Sequence, residues 1–426
     1  MRRALSLGDT PSLSVPLRFL LTAPWFGLGA GLLLAWQGAD ALATRWSPVT
    51  VALTHLLTLG FLAMTMAGAL LQMLPVVAGF TVPGGRLAAM VAWPALCAGT
   101  LLLAGALLSG MPQLFGPAAA VLALAFLVLC GVFAVALSRR APAGALAMVG
   151  GMRLAIGALA LTVVMGILLA LFLGGWTSLP ALAVTEVHAG WGLIGWVLML
   201  VICVAYQVIP MFQATPAYPD KFTFALPPLL AAALALWSYA TLSNAPWAGG
   251  AGVAVALCIL GFAGVTLWLL ARRKRPAADA TTLYWRLSMG SLATCTAVYL
   301  WPGSGAPWRE LLVAVLFIGG VAMGAVNGML YKIVPFLLWY HLQQQGVPKA
   351  RLPGTQQWIT ERRARMQFWL HAGATGLLAA ATVAPAALAR AGGLALCAAC
   401  GWLAADLCGA ALRYRRIARE SALERA

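Results

Sequence analysis

Charge is what this sequence lacks most. Of its 426 residues only 9% are Asp, Glu, Lys or Arg, against 62% hydrophobic, and mean hydropathy is +0.92. So little charge cannot clothe a water-soluble surface, which excludes a soluble domain. Histidine is scarcer still, with four in the chain: His55, His188, His341 and His371. Met1-Arg-Arg leads into a polar stretch and then a full-length apolar run, with no small-residue cleavage pattern, so no removed signal peptide is expected. No cysteine falls in a connecting segment. That excludes a disulfide framework, and the eight thiols are expected to act as small apolar residues.

What is present is a succession of apolar runs, each near the ~20 residues that cross a bilayer. Twelve spans are predicted at about 17–37, 50–78, 87–109, 114–138, 152–175, 183–212, 224–243, 249–271, 282–301, 311–340, 366–388 and 392–412. The fold class is thus an all-α integral membrane protein forming one polytopic domain. Placing the N-terminus on one side puts 24 of the 27 lysines and arginines there and leaves Arg45, Arg309 and Arg390 opposite. By the positive-inside rule both termini are cytoplasmic, and a bacterial inner (cytoplasmic) membrane is the expected location. The formal charge of +17 then reflects topology and contact with anionic headgroups of the lipid bilayer, not nucleic acid.

One pattern recurs. His55 opens span 2, which closes on Gln72-Met-Leu-Pro75; His188 opens span 6, which closes on Gln207-Val-Ile-Pro210. Span 10 closes on Lys332-Ile-Val-Pro335, with Lys in the Gln position. Intervals of about four spans predict three four-helix repeats, about 17–138, 152–271 and 282–412, in a pseudo-threefold arrangement. They exclude a repeat every six spans, as in two-half transporters. Gln72, Gln207 and Lys332, each three residues before a Pro, are expected to bond backbone freed where the helix breaks, or to form a polar ring at the cytoplasmic mouth.

An intramembrane histidine is costly unless paired or liganded, and neutral imidazole is the commonest metal ligand. His55 and His188 each lie about six residues into their spans, roughly 9 Å below the outer boundary at ~1.5 Å per residue. The bland alternative is a histidine bonded to a neighbouring helix. Aligned on Gly60-Phe61 and Gly195-Trp196, His55 lies five residues before its Gly and His188 seven. That offset is ~200° around a helix, predicting rings on opposite faces and in separate pockets. Glu186, near His188, is either a supporting carboxylate or an interfacial solvated one.

Twelve spans in three arcs, with His55-x-x-x-x-Gly60-Phe61 on span 2 and His188-Ala-Gly-x-x-x-x-Gly195-Trp196 on span 6, resemble subunit I of the haem-copper oxidases. They are equally similar to its smaller relatives, including the NnrS-type haem-copper membrane proteins linked to nitric oxide. The resemblance implies b-type haem at His55 and copper at His188, towards the periplasmic side. The departures are larger. Gly192 stands at the span 6 tyrosine position, span 7 has no histidine, and Val313 and Val315 occupy the span 10 ligand positions. The NnrS-type His-Glu-Met opening is missing too. No dioxygen-reducing centre can be assembled, so no catalytic residue is assigned and no oxidase activity is expected.

Met323 and Met329 are the candidate thioethers opposite His55, with core packing the simpler role. His371 enters span 11 from the cytoplasmic side and is expected to face Gln72 or Lys332; His341 is expected to be an interfacial anchor. Asp406, inside span 12, is expected to pair with Lys332 or a C-terminal arginine, or to serve a proton or cation path. Cys397 and Cys400 share a helix face, offering either a copper site or small-residue packing. The functional expectation is a non-oxidase relative of subunit I that binds haem b or copper. Its role would be accessory, sensing or carrying, in respiration or nitric-oxide metabolism, with other respiratory-chain subunits as partners. The alternatives are a transporter of a metal ion or small solute along Gln72, Gln207, Lys332 and Asp406, and a structural subunit of a respiratory complex.

Overall fold

Segments this apolar satisfy their backbone only within themselves, and in the computed structural model every long element is a helix. It describes residues 11–75, 79–275, 277–302 and 306–423, with no strand among them. Arg2, Arg3 and Arg425, used above for orientation, lie outside these. The long helices are α1 Ser14–Gln37, α2 Pro48–Met73, α3 Gly85–Ser109, α4 Phe115–Leu137, α5 Leu146–Leu173 and α6 Ala181–Gln213. They continue as α7 Asp220–Leu242, α8 Ala248–Ala271, α9 Ala280–Leu300, α10 Pro307–Gln344, α11 Glu361–Ala381 and α12 Pro385–Leu423.

Ten of these twelve are long and apolar enough to cross a membrane, which makes the chain a multi-pass membrane protein in a lipid bilayer. The exceptions are α9 and α11. Their polar residues turn inward: Thr281, Thr282, Tyr284, Ser288 and Ser291 on α9, and Gln367, His371 and Thr375 on α11, are all buried. Helices α2, α6 and α10 are the most enclosed, with 61%, 67% and 67% of their apolar stretch buried against 50% or less in the other seven. The remaining nine pack in a closed ring around them, in the order α1, α3, α4, α5, α7, α8, α9, α11, α12 and back to α1.

Each enclosed helix contains eight residues of π-helix: Leu56–Ala63, Trp191–Leu198 and Leu316–Met323. π turns widen a helix and concentrate at functional sites. The helices do not break at their prolines as expected: α6 runs through Pro210 to Gln213, and α10 through Pro335 to Gln344. Nor do the residues three before each Pro cap freed backbone. Lys332 reaches Asp279, and among the described residues neither the buried Gln72 amide nor the Gln207 side chain has a hydrogen-bond partner. A helix end also moves. The α11–α12 break falls at 382–384, because Pro385 starts α12, not near 390.

The ring closes where α1 meets α12 through small residues. A Cβ on Gly31 would meet Cys397 Sγ at 2.7 Å and Gly393 O at 2.8 Å; one on Gly27 would meet Cys400 Sγ at 2.6 Å. Cys397 Sγ donates to Leu28 O at 3.4 Å. The two thiols therefore fill a helix seam, the packing role of the two envisaged. Gly31→Leu should lower the thermal midpoint in detergent by an amount equivalent to about 1–3 kcal/mol or more, because the opposing atoms include backbone that cannot move aside. Gly29→Leu on the same helix, which meets nothing within 4 Å, should leave it unchanged.

Candidate functional site

The site is built where the α-helical start of α2 gives way to its π stretch. His55 ends that start, and its Nδ1 sits 2.8 Å from Val51 O. His188 lies three residues before the π stretch of α6, with Nδ1 3.0 Å from Thr162 O on α5. A carbonyl can only accept, so in each ring Nδ1 carries the proton and Nε2 keeps its lone pair. That is the tautomer-fixing contact typical of metal-ligating histidine.

The two rings share one space. Their centroids are 6.4 Å apart with 23° between the planes. This corrects the expectation of separate pockets. Opposite faces of two parallel helices diverge only where the helices stand side by side in the same rotation; on two helices standing either side of one cavity, opposite faces converge.

Both histidines line a cavity of about 460 Å³ to which every helix from α2 to α10 contributes. Its walls are largely apolar, among them Leu59, Phe126, Ile167 and Phe317, with Thr54, Thr58, Thr162 and Thr296 between. Helix α10 contributes Val313, Ala314, Phe317 and Ile318. Met323 and Met329 are buried but outside this wall, so neither thioether faces His55. Among the described residues no three or more His, Cys, Asp or Glu gather as a metal site, and two imidazoles are the donor set.

At the mouth, Arg45 pairs with Glu186 and, through Nε at 2.8 Å, with Glu310. The three come from the α1–α2 connection, α6 and α10, and Arg45 also stacks over Trp46 at 4.3 Å. Glu186 is thus an ion-pair partner. Sequence reasoning missed Arg45 and Glu310, which have no signature beyond being charges at span ends.

The other candidate residues lie in the half nearer the basic face. His371 Nε2 is 3.0 Å from Gly319 O, and its Nδ1 accepts from Asn327 Nδ2 at 3.3 Å. It therefore faces Gly319 and Asn327 of α10 rather than Gln72 or Lys332, with both nitrogens engaged. Asp406 is paired as expected but with another partner: its buried carboxylate accepts from Arg363 Nε at 2.5 Å and Tyr331 OH at 2.8 Å. Lys332 instead binds Asp279 at 2.8 Å.

Asp279, at the N-cap of α9, also accepts from Thr282 N and Oγ1 at 2.9 and 2.7 Å. Partial burial pushes its pKa up, but Lys332 and Thr282 together outweigh that and hold it below the ordinary carboxylate value. A depressed pKa contributes stability that is present above the unfolded value of ~4 and lost as pH falls through the folded one. Asp279→Asn keeps the cap and loses the charge, so thermal melts at pH 7 should show a deficit of about 1–2 kcal/mol. That deficit should close as both proteins are taken below pH ~4.

The sequence matches no protein-family model, and no curated protein matches it at a significant level.

Proposed function

We propose that this protein holds one metal centre between His55 and His188, as b-type haem or as copper, within a bacterial inner membrane. On this reading it is a non-oxidase relative of haem-copper oxidase subunit I with an accessory, sensing or carrier role in respiration or nitric-oxide metabolism. The observation that carries it is the ring pair: two imidazoles 6.4 Å apart, each with Nδ1 tied to a carbonyl and Nε2 left free in one cavity. The donor set fits either group. His55 and His188 would hold either group, since haem iron and copper(I) both accept two imidazoles from the protein, whereas zinc needs four ligands. When bound, such a group supplies one-electron chemistry or binding of a small gaseous ligand. The chain's own residues orient the two imidazoles, and the apolar walls keep bulk water from the centre.

The kinship is supported by register. In α2, α6 and α10 the π stretch has its fifth residue at Gly60, Gly195 and Gly320, each fifteen residues before Pro75, Pro210 or Pro335. Three enclosed helices with one internal phase fit three four-helix units. The bias of lysine and arginine to one face supports cytoplasmic termini.

An optical spectrum of the purified protein, with haem extraction and copper quantification, tests the reading. A Soret band with about one haem per chain, or about one copper without haem, supports it. A protein that carries neither, and takes up neither on reconstitution, refutes it.

A further inference from the structure

One guanidinium ties together the ends of three helices. Arg45 lies in the connection ahead of α2, Glu186 in the second turn of α6 and Glu310 in the first turn of α10, and the arginine pairs with both carboxylates. These are the three enclosed helices, and the pairs form at their ends away from the basic face. Arg45 is not itself on a long helix. Its connection folds back on the start of α2, where Thr50 Oγ1 donates to Ala41 O at 2.9 Å, so the arginine can swing without moving α2.

The three charged residues line the wall of the histidine cavity, yet their side chains are 32%, 33% and 39% exposed. Trp46, against the guanidinium, and Tyr299 of α9 also line the cavity and are 41% and 46% exposed. These five residues therefore stand between the cavity and the outside. Behind them lie His55 and His188, with Nε2 free, and Cys295, whose Sγ sits 3.5 Å from Val313 O.

Ion pairs this exposed contribute little to stability and weaken further with salt. Three helices already enclosed by nine others gain little from one more tie of that strength, and opening it costs correspondingly little. Once Arg45 turns to water, Glu186 and Glu310 are left as like charges that repel, which holds the mouth apart. The arrangement thus has a closed form, with one cation shared, and an open form with an acidic mouth.

We infer that the Arg45–Glu186–Glu310 clasp is a gate on the histidine cavity. Closed, it separates the cavity from water on the face opposite the basic one. Open, it admits small water-soluble solutes, cations ahead of anions because two carboxylates then line the entrance. The gate does not depend on what the histidines bind.

The test is the labelling rate of Cys295 in the full-length protein in liposomes, with adducts located by mass spectrometry. Two methanethiosulfonate reagents are used on both sides of the bilayer, one carrying trimethylammonium and one carrying sulfonate. Cys203 and Cys400, 0% and 1% exposed and outside the cavity wall, report any general loosening, and thermal melts confirm folding. In Arg45→Ala, Cys295 should react at least tenfold faster than in the unaltered protein, with the cationic reagent ahead and Cys203 and Cys400 unchanged. The double variant Glu186→Gln with Glu310→Gln also releases Arg45, so it should react faster too but lose the preference for the cation. A clasp that only braces the helices would lower the thermal midpoint in Arg45→Ala and leave the Cys295 rate unchanged. That result, a parallel rise at all three cysteines, or Cys295 unlabelled in every protein overturns the proposal.

Discussion

Loss of the proposed centre should be complete, and equal, in His55→Ala and His188→Ala. With two imidazole donors and no third protein ligand gathered nearby among the described residues, losing either leaves one imidazole, and affinity should fall by more than 100-fold. Two independent sites would behave otherwise, each variant keeping about half of the bound metal. Metal per chain, measured alongside the Soret or copper absorbance, separates the two outcomes, and retention of half in either variant sinks the shared site. A gentler change should act through position alone. A Cβ on Gly166 would lie 3.0 Å from His188 Cε1, inside van der Waals contact. Gly166→Val should therefore displace the His188 ring from its carbonyl at Thr162 and weaken binding roughly 10–100-fold, the range for loss of an orienting contact. The protein should stay folded, since the valine faces a cavity rather than a packed seam.

Length and hydropathy made the spans readable because a bilayer imposes both, and the expected and observed helices coincide within a few residues for most of the chain. The main boundary error has a physical source. Residues 376–400 are so rich in Ala and Gly that composition hardly changes across the break, and Pro385 was the only mark of it. The site was half legible. That His55 and His188 matter followed from their cost in a membrane, but whether they meet depended on which helices face each other across the cavity, which register along one helix does not contain. The same limit applies to charge. Asp406 read as a buried group needing a partner, yet Arg363 lies 43 residues away and sequence separation favours no choice among the arginines. The π stretches left a trace only in hindsight, through the common spacing from glycine to proline. The low hydropathy of α9 and α11 was visible throughout, but what their polar residues touch was not.

Arg363→Met should destabilise the protein more than Asp406→Asn does, although both remove the same ion pair. The asymmetry follows from exposure: the Asp406 side chain is fully buried, whereas that of Arg363 is 49% exposed. Without the Asp406 carboxylate, Arg363 turns to water and keeps its stacking on Trp402, whose ring centroid lies 5.0 Å from its guanidinium. The uncharged amide that Asp406→Asn introduces can still accept from Tyr331. Without Arg363, a carboxylate is stranded among apolar neighbours with one hydroxyl donor, and stranding a buried charge costs about 3–5 kcal/mol. The Asp406→Asn variant should lose about 1–2 kcal/mol, the scale of one charged hydrogen bond. Combining Arg363→Met with Asp406→Leu should restore much of the loss, since an apolar pair of similar volume has no charge to desolvate. Thermal or denaturant unfolding of the three proteins in one detergent measures this. Equal losses in the two single variants, or no recovery in the double, would show that burial of the Asp406 carboxylate does not set the stability of this face.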